Sequence, residues 1–426
     1  MKILVINCGS SSLKYTVFSM PEQEVLASGI FEQLGTPLPT FTHKLPEGEK
    51  MVKVVDKEAM AAGADHGAAI EKLIATLTGA EYGVLSSMAE ISAVGHRVLH
   101  GGEKFSGSVL VTEAVKDAIR ECIPLGPLHN PANLLGIEVC EKIMSGIPQI
   151  AVFDTAFHQT IPEEAYMYAL PYKYYKEYGI RRYGFHGTSH RYISLRTFDF
   201  LDKKYPGKYN KDTLRIVTCH LGNGSSLSAI KGGKCVDTTM GLTPLEGIMM
   251  GTRCGSIDPA IIPFVMKKEK EKFEGKSIEE IAKLLDNMMN KESGMLGLTD
   301  YDENNEKTSD NRTIENRAKA GDPRAKLVES MFCLQLTKLI GGMVAEMGGA
   351  DAVVFTGGIG ENNPQYRTRV AEKLAYLGTE IDEASNQLRG KEVEISKEDS
   401  ALKLLVIPTD EELMIALDTV DIISAL

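Results

Sequence analysis

The sequence predicts an α/β protein built from two copies of one domain plan, with a cleft between the copies. Three observations predict it. The segment ILVINCGSSSLKYTVF, starting at Ile3, and the segment IVTCHLGNGSSLSAI, starting at Ile216, share one order: apolar strand, polar residues, Gly/Ser turn, second strand. In both halves these strands are followed by apolar-periodic helices and by short, continuously apolar strands of the kind buried in parallel sheets. At 426 residues the chain is long enough for two sizeable cores.

The first half opens as strands at Lys2–Asn7, Leu13–Phe18 and Val25–Phe31, close enough in sequence to read as an antiparallel meander. Ile70, Leu73, Ile74 and Leu77 set a helical stripe over Asp65–Leu77, with Gly79 as its stop. Ile91–Gly95 reads as a strand. Asn130-Pro131 reads as a helix cap followed by Pro at the first helical position. Gln149–Asp154 is a strand again. In the second half, Leu214–Leu221, Ser226–Ile230 and Lys234–Asp237 are strands, and Ser277-Ile278-Glu279-Glu280 is a capping box before a helix. Asp322–Met347 is a long helix with Phe332, Leu336, Leu339, Met343 and Met347 on one side. Asp351–Thr356 and Leu402–Ile407 are buried-type strands, and the charged run Lys267–Lys272 is a solvated helix face.

Composition narrows the function. Lys and Arg number 47 against 58 Asp and Glu, a net charge of −11, which argues against a non-specific nucleic-acid binder. No apolar stretch approaches the length of a membrane helix. The N-terminal MKILVINCGSSS reads as a first strand, not a signal peptide. The seven cysteines are odd in number, widely spaced and without a CxxC pair, which fits reduced thiols in a cytoplasmic protein.

Three Gly-rich turns carry candidate chemistry. Asn7-Cys8-Gly9-Ser10-Ser11-Ser12-Leu13-Lys14 offers exposed backbone N–H groups, hydroxyls and one Lys, a combination suited to phosphate. His220-Leu221-Gly222-Asn223-Gly224-Ser225-Ser226 is the second. The third, ADAVVFTGGIGENN over Ala350–Asn363, is a buried strand, four residues GGIG and polar residues opening a helix. Neither G-x-G-x-x-G nor a Walker loop is complete, so a nucleotide site here belongs to neither common kind. Arg97, read as just past a strand in Gly95–Gly102, and Arg253 in Gly251–Gly255 are two arginines in glycine turns, where a planar fork suits carboxylate or phosphoryl oxygens. Asp154 ends a strand. His186 and His190 are four apart, but no third ligand follows, so zinc is not expected and His186 reads as a hydrogen-bond donor. Thr409-Asp410-Glu411-Glu412 opens the last helix and offers either a cap or an oxygen ligand for Mg²⁺.

Taken together, NCGSSSLK, GHRVLHGG, PLHNP, FDTAFH, YGFHGTSH, HLGNGSS, GLTPLEGIMMGTRCGSIDP, FTGGIGEN and IPTDEE resemble the acetate kinase family, in family order and over nearly the whole chain. That family belongs to the superfamily of sugar kinases, chaperone ATPases and actin. The resemblance implies a duplicated two-domain, actin-like (ribonuclease H-like) fold with an interdomain nucleotide cleft. The expected domains are 1–154, completed by the C-terminal helix 412–426, and a nucleotide-binding domain over 155–411. The implied reaction is reversible, in-line transfer of the ATP γ-phosphoryl to acetate, with ADP as the other nucleotide. The alternatives are a propionate or butyrate kinase of the same family, and a nucleotide-binding switch without transferase activity.

Carried over by motif, the resemblance implies Asn7 and Glu411 as Mg²⁺ positions, with Mn²⁺ as a substitute. It implies Lys14, Ser10, Ser12, His220, Leu221, Gly222, Asn223, Gly224, Asp310, Asn311, Arg312, Gly358, Ile359, Gly360, Glu361 and Asn362 as nucleotide positions. Arg97 is the implied acetate arginine, and Leu99, Leu128, Phe185 and Pro244 its methyl pocket. Asp154 matches the family's catalytic acid/base, and His186 and Arg253 its transition-state stabilisers. A homodimer is implied, with no nucleic-acid or membrane partner. The chain departs from the family in having Cys254 and Ser256 where Ser and Asp are usual, Cys8 where a small Ser or Ala is usual, and Leu99 where Val is frequent. Because a carboxylate substrate is ionised at neutral pH, Asp154 is expected to orient Arg or metal-bound water, not to abstract a proton.

Overall fold

The computed structural model describes residues 1–48, 50–299 and 307–426. The chain forms two compact units, one of Met1–Gln159, Gly187–Tyr192 and Asp410–Leu426, the other of Thr160–His186 and Ile193–Thr409.

The first unit is built on an eight-stranded sheet. Its strands are β1 Lys2–Cys8, β2 Ser12–Ser19, β3 Glu24–Glu32, β4 Thr40–Glu47, β5 Lys50–Ala59, β6 Ile91–Val98, β7 Val109–Leu110 and β8 Gln149–Phe153. Their order is β5-β4-β3-β2-β1-β6-β8-β7, antiparallel from β5 to β1 and parallel from β1 through β6 to β8. The unbroken apolar run of β1 follows from burial on both faces. Leu4, Ile6 and Cys8 join a core with Ile70, Leu73 and Leu77 of the helix His66–Thr78 and Cys140 of the helix Asn130–Ile143. Ile3 and Val5, on the other face, pack with Ile415 and Ala416 of the C-terminal helix Glu411–Ser424. Gly95 serves that packing rather than a turn. A Cβ there would stand 2.5 Å from Thr419 Oγ1 and 2.7 Å from Ile415 Cγ2.

Two expectations are corrected here. Arg97 lies within β6, opposite Val152 of β8, and not beyond the strand. Asn130 is not the cap of its helix; His129 holds that position. The Asn130 amide instead donates to the carbonyls of His100 and Ile119 and accepts from the His100 N–H, which fixes the chain just past Arg97.

The second unit has six strands, β9 Arg215–Leu221, β10 Ser225–Lys231, β11 Lys234–Thr238, β12 Ala352–Thr356, β13 Val393–Glu394 and β14 Lys403–Val406, in the order β11-β10-β9-β12-β14-β13. The run β3-β2-β1-β6-β8 of the first unit and the run β11-β10-β9-β12-β14 of the second share one plan: an antiparallel meander, then two parallel strands. The duplication read from two Gly/Ser hairpins therefore extends through five strands of each sheet. The helix Pro323–Glu346 contributes Phe332, Leu336, Ile340 and Met343 to this unit's core. Among the described residues it is the one helix long and apolar enough to cross a membrane by composition, against the expectation that no apolar stretch approaches that length. Its buried stripe belongs to the core against β9 and β12. Among the described residues no disulfide forms, and six of the seven cysteines are buried.

Candidate active site

In the first unit the structure gathers Asn7, Arg97, Asp154 and Glu411. Arg97 Nη2 donates to Asp154 Oδ2 at 2.7 Å, and its Nε reaches the two carboxylate oxygens at 3.2 and 3.3 Å. Nη1 turns the other way, to Asn7 Oδ1 at 3.4 Å. The Asp154 side chain is 1 % exposed and that of Arg97 21 %. The charge of Asp154, with those of Glu411 and Glu412, holds Arg97 firmly cationic. The Asp154 carbonyl accepts from Gly187 N at 3.0 Å, and a Cβ on Gly187 would sit 2.1 Å from that oxygen, so glycine is required there. Burial pushes the Glu411 carboxyl up to about 7; Arg97 and Lys14 oppose this, while Asp154 and Glu412 add to it. Lys14 sits opposite Asn7 in the β1–β2 pairing.

The turn between β1 and β2 is held from outside by residues with no local signature. His66 Nε2 hydrogen-bonds the Gly9 carbonyl at 2.8 Å, and Asn133 Nδ2 donates to the Cys8 carbonyl at 2.7 Å. Gly9 N donates to Ser12 O at 2.8 Å, which closes the turn that presents Ser10. The larger Cys8 is accommodated by Gly136, where a Cβ would fall 2.4 Å from the Cys8 Sγ.

In the second unit a cavity of about 630 Å³ is lined by Gly222, Asn223, Asp310, Asn311, Arg312, Gly358, Ile359 and Asn362, all expected nucleotide positions. Asn363, the last residue of the third Gly-rich turn, lines it too, as do Glu315 and Arg389, which had no signal in the sequence. The glycines of GGIG are not a turn ahead of a helix but the first residues of one, Gly357–Asn362. Gly357 has φ +75°, and a Cβ there would meet the Leu221 carbonyl at 2.8 Å. Gly360 and Glu361 do not line the cavity. Glu361 Oε1 instead accepts from Gly357 N at 2.8 Å and Thr409 N at 3.4 Å, bracing the helix start.

Beside the β9–β10 turn, His186 (φ 55°) hydrogen-bonds Ser226 Oγ through Nδ1 at 2.9 Å and stacks on His220 with ring centroids 4.3 Å apart. A Cβ on Gly224 would lie 3.2 Å from His186 Nε2 and 3.6 Å from Arg253 Nη1, so this glycine turn lies against both groups. Arg253 donates to the Pro244 carbonyl at 3.0 Å and contacts Met250 Sδ. No carboxylate pairs with it among the described residues, and burial alone pulls its pKa down. A half-buried cation without a counter-charge is a place for an anion. Its loop rests on Gly294, φ +60°, whose Cβ position lies 2.2 Å from Met250 O and 2.7 Å from Arg253 O. Ser256 closes the same loop by accepting from Gly247 N at 3.0 Å, and the Cys254 thiol donates to the Gly255 carbonyl at 3.1 Å.

Of the expected methyl pocket, Leu99 and Leu128 belong to the first unit and Phe185 and Pro244 to the second. Leu99 is buried against Gly126, Phe185 is buried, and Leu128 is exposed. For a metal, no group of three or more His, Cys, Asp and Glu comes together among the described residues. Asn7, Asp154 and Glu411 present hard oxygens, and Glu411 is a buried carboxylate raised beside a second one. That donor set fits a divalent cation that keeps several of its own waters, such as Mg²⁺, and does not fit a closed cage.

The acetokinase family model matches residues 2–417. The chain is 51 % identical over 425 residues to an acetate kinase of Halothermothrix orenii, covering 100 % of both chains. It is 50 % identical over 422 residues to one of Methanosarcina acetivorans, covering 99 % of this chain and 97 % of that one. Among solved structures, the Porphyromonas gingivalis acetate kinase superposes with a TM-score of 0.88 at 45 % identity over 99 % of both chains. A propionate kinase from Francisella tularensis superposes with a TM-score of 0.84 at 37 % identity, also over 99 % of both. On sequence, strand order and the residues gathered in each unit, this chain belongs to the acetokinase family.

Proposed function

We propose that the protein transfers the γ-phosphoryl group of ATP to acetate, reversibly and by direct in-line displacement. The observation that carries this reading is Arg253, a half-buried arginine without a carboxylate among the described residues, lying with His186 against the glycine turn of β9–β10. Phosphoryl transfer asks a protein mainly for positioning and charge neutralisation. Arg253 and His186 neutralise the equatorial oxygens of the transferring group, and the Gly222–Asn223 turn with the helix Gly357–Asn362 seats the nucleotide. Acetate arrives ionised. Asp154 already occupies the Nε/Nη2 edge of Arg97, so acetate takes the Nη1 side, toward Asn7. Asp154 thus orients Arg97 and removes no proton. Asn7 and Glu411 would hold Mg²⁺, which would supply neutralisation of the phosphate charge.

Acetate is preferred to longer acids. Buried Leu99 supports this, as do identities of about 50 % over the full length to acetate kinases. We place the protein in the cytoplasm, in keeping with the lack of any disulfide among the described residues, and as a homodimer. The helices Ile261–Lys268 and Ile278–Lys291 have no buried residue and expose Ile261, Phe264, Ile278 and Leu284, which supports self-association. The deciding experiment is trapping of acyl phosphate as hydroxamate with ATP, Mg²⁺ and a series of short acids. Product with acetate above propionate is expected. No product with any acid overturns the reading.

A further inference from the structure

Among the described residues, Arg253 is held by neutral groups. Its Nη1 donates to the Pro244 carbonyl at 3.0 Å and touches Met250 Sδ. Where Pro244 stands therefore decides where the guanidinium points. Pro244 belongs to the segment 241–247, which is tied at both ends. Ser256, just past Arg253, donates its N–H to the Gly247 carbonyl at 2.8 Å and accepts from Gly247 N at 3.0 Å. The Gly241 carbonyl accepts at 3.1 Å from the N–H of Tyr183, three residues before His186.

Glu246 lies between these ties. Its Oε2 accepts from the Tyr168 hydroxyl at 2.5 Å, and its Oε1 accepts from Arg182 Nη2 at 3.1 Å. The Tyr168 hydroxyl oxygen also accepts from Leu242 N at 3.1 Å, and Arg182 Nη1 donates to the Thr238 carbonyl. The backbone lies close against this contact. A Cβ on Gly241 would stand 2.0 Å from Glu246 Oε2 and 2.1 Å from the Tyr168 hydroxyl oxygen. Both donors come from the stretch that leads into His186, and their acceptor is two residues from Pro244.

We propose that Glu246 is a positioning residue for phosphoryl transfer: it clamps the segment 241–247 to the stretch carrying His186 and so sets, through the Pro244 carbonyl, the direction of Arg253. A carboxylate in direct contact would also orient the guanidinium, but it would cancel the charge that an anion needs to meet. At one remove, the charge of Glu246 is matched by Arg182, and Arg253 keeps its own. This inference rests on the phosphoryl-transfer reading above.

The test is a double-mutant cycle on kcat for acyl phosphate formation by the full chain, pairing Glu246→Ala with Arg253→Ala. Glu246→Ala alone is expected to lower kcat about 100-fold, the scale of a reacting group displaced by about 1 Å, and to leave the calorimetric Kd for ATP unchanged. In the Arg253→Ala background the same substitution is expected to cost nothing further, since both changes act through one guanidinium. A merely structural role predicts losses that multiply. Tyr168→Phe removes one donor and keeps the ring; it is expected to give a smaller loss, likewise absent without Arg253, and it decides the question if Glu246→Ala does not fold. Losses that multiply, or a parental kcat in the folded variants, overturn the proposal. A parent protein that forms no acyl phosphate overturns the phosphoryl-transfer reading itself, a result distinct from variants that match an active parent.

Discussion

Asp154→Asn separates two roles for this carboxylate, general base and partner of Arg97. The acid substrate has a pKa close to that of Glu, about 4.3, and brings no proton to abstract at neutral pH. Asp154 takes contacts from Arg97 at 2.7, 3.2 and 3.3 Å with its own side chain 1 % exposed. Removing one member of a buried ion pair costs about 3–5 kcal/mol. Arg97 keeps 21 % of its side chain in solvent, so the lower figure applies. That is a cost in stability; the rate cost is that of a guanidinium set out of place, roughly 100-fold in kcat for a shift of about 1 Å. The loss should be uniform across the neutral pH range, because what is lost is orientation of a guanidinium. The KM for acetate should not rise, since Arg97 loses a competing anion. The assay is a full pH profile of acyl phosphate formation at saturating ATP and Mg²⁺ for parent and variant. A variant that keeps the parental plateau and loses a single limb of the profile would refute the argument and restore the base.

Leu99→Ala should raise the ratio of kcat/KM for propionate to that for acetate about tenfold, within the ~1–3 kcal/mol that one methylene is worth; an unchanged ratio removes Leu99 from the acid site. Gly294→Ala, at φ +60° and 2.2 Å from Met250 O, should displace the Arg253 loop and cost about 10³ in kcat, the scale of a lost phosphoryl-stabilising arginine. A parental kcat in a folded Gly294→Ala protein would show that Arg253 does not depend on this loop. Burial holds His96 at about 4 against an ordinary 6.5, so the unfolded chain binds a proton over that interval and the folded chain does not. Stability is therefore complete above 6.5 and lost as pH falls toward 4, by about 3 kcal/mol at the limit. Denaturant midpoints of His96→Gln, measured against the parent near neutral and mildly acidic pH, should show a shallower acid loss. Parallel curves would sink this assignment.

The legible parts of this molecule are those in which a local pattern and the fold agree. β1 reads as a strand because both of its faces are buried, which makes the run apolar throughout. The helix His66–Thr78 reads correctly because Asp65 caps it and Ile70, Leu73 and Leu77 are all buried. β4 and β5 escaped notice. β5 carries Lys50, Lys53 and Lys57 at the sheet edge with no residue buried, and edge strands are kept charged to avoid further pairing. Gly95 reads as a turn glycine and Asn130 as a cap, but the glycine admits the distant C-terminal helix, and the amide ties two segments that no sequence window contains. The same distinction runs through the site. Residues inside motifs are legible as types suited to anions. His66, Asn133 and Gly294 act through contacts made across tens of residues, and nothing near them in sequence marks them.

The two arginines differ in a way that suits their different tasks. Arg97 is already matched by Asp154, so its net pull on a further anion is weak, and under the proposed reaction it would position a small monoacid without holding it tightly. Arg253 is matched by nothing charged among the described residues, so its field is at full strength for charge that spreads over a transferring phosphoryl group. Only interactions stronger in the transition state than in the ground state raise kcat. Under the proposed reaction, a neutralised arginine for the acceptor and an unneutralised one for the phosphoryl group would put the strong interaction where charge develops. Gly294, Gly255 and Ser256 then hold the unneutralised arginine in its loop, against the glycine turn of β9–β10. Placing a carboxylate beside Arg253 would bind the cation more comfortably and would weaken the one interaction that the reaction most needs.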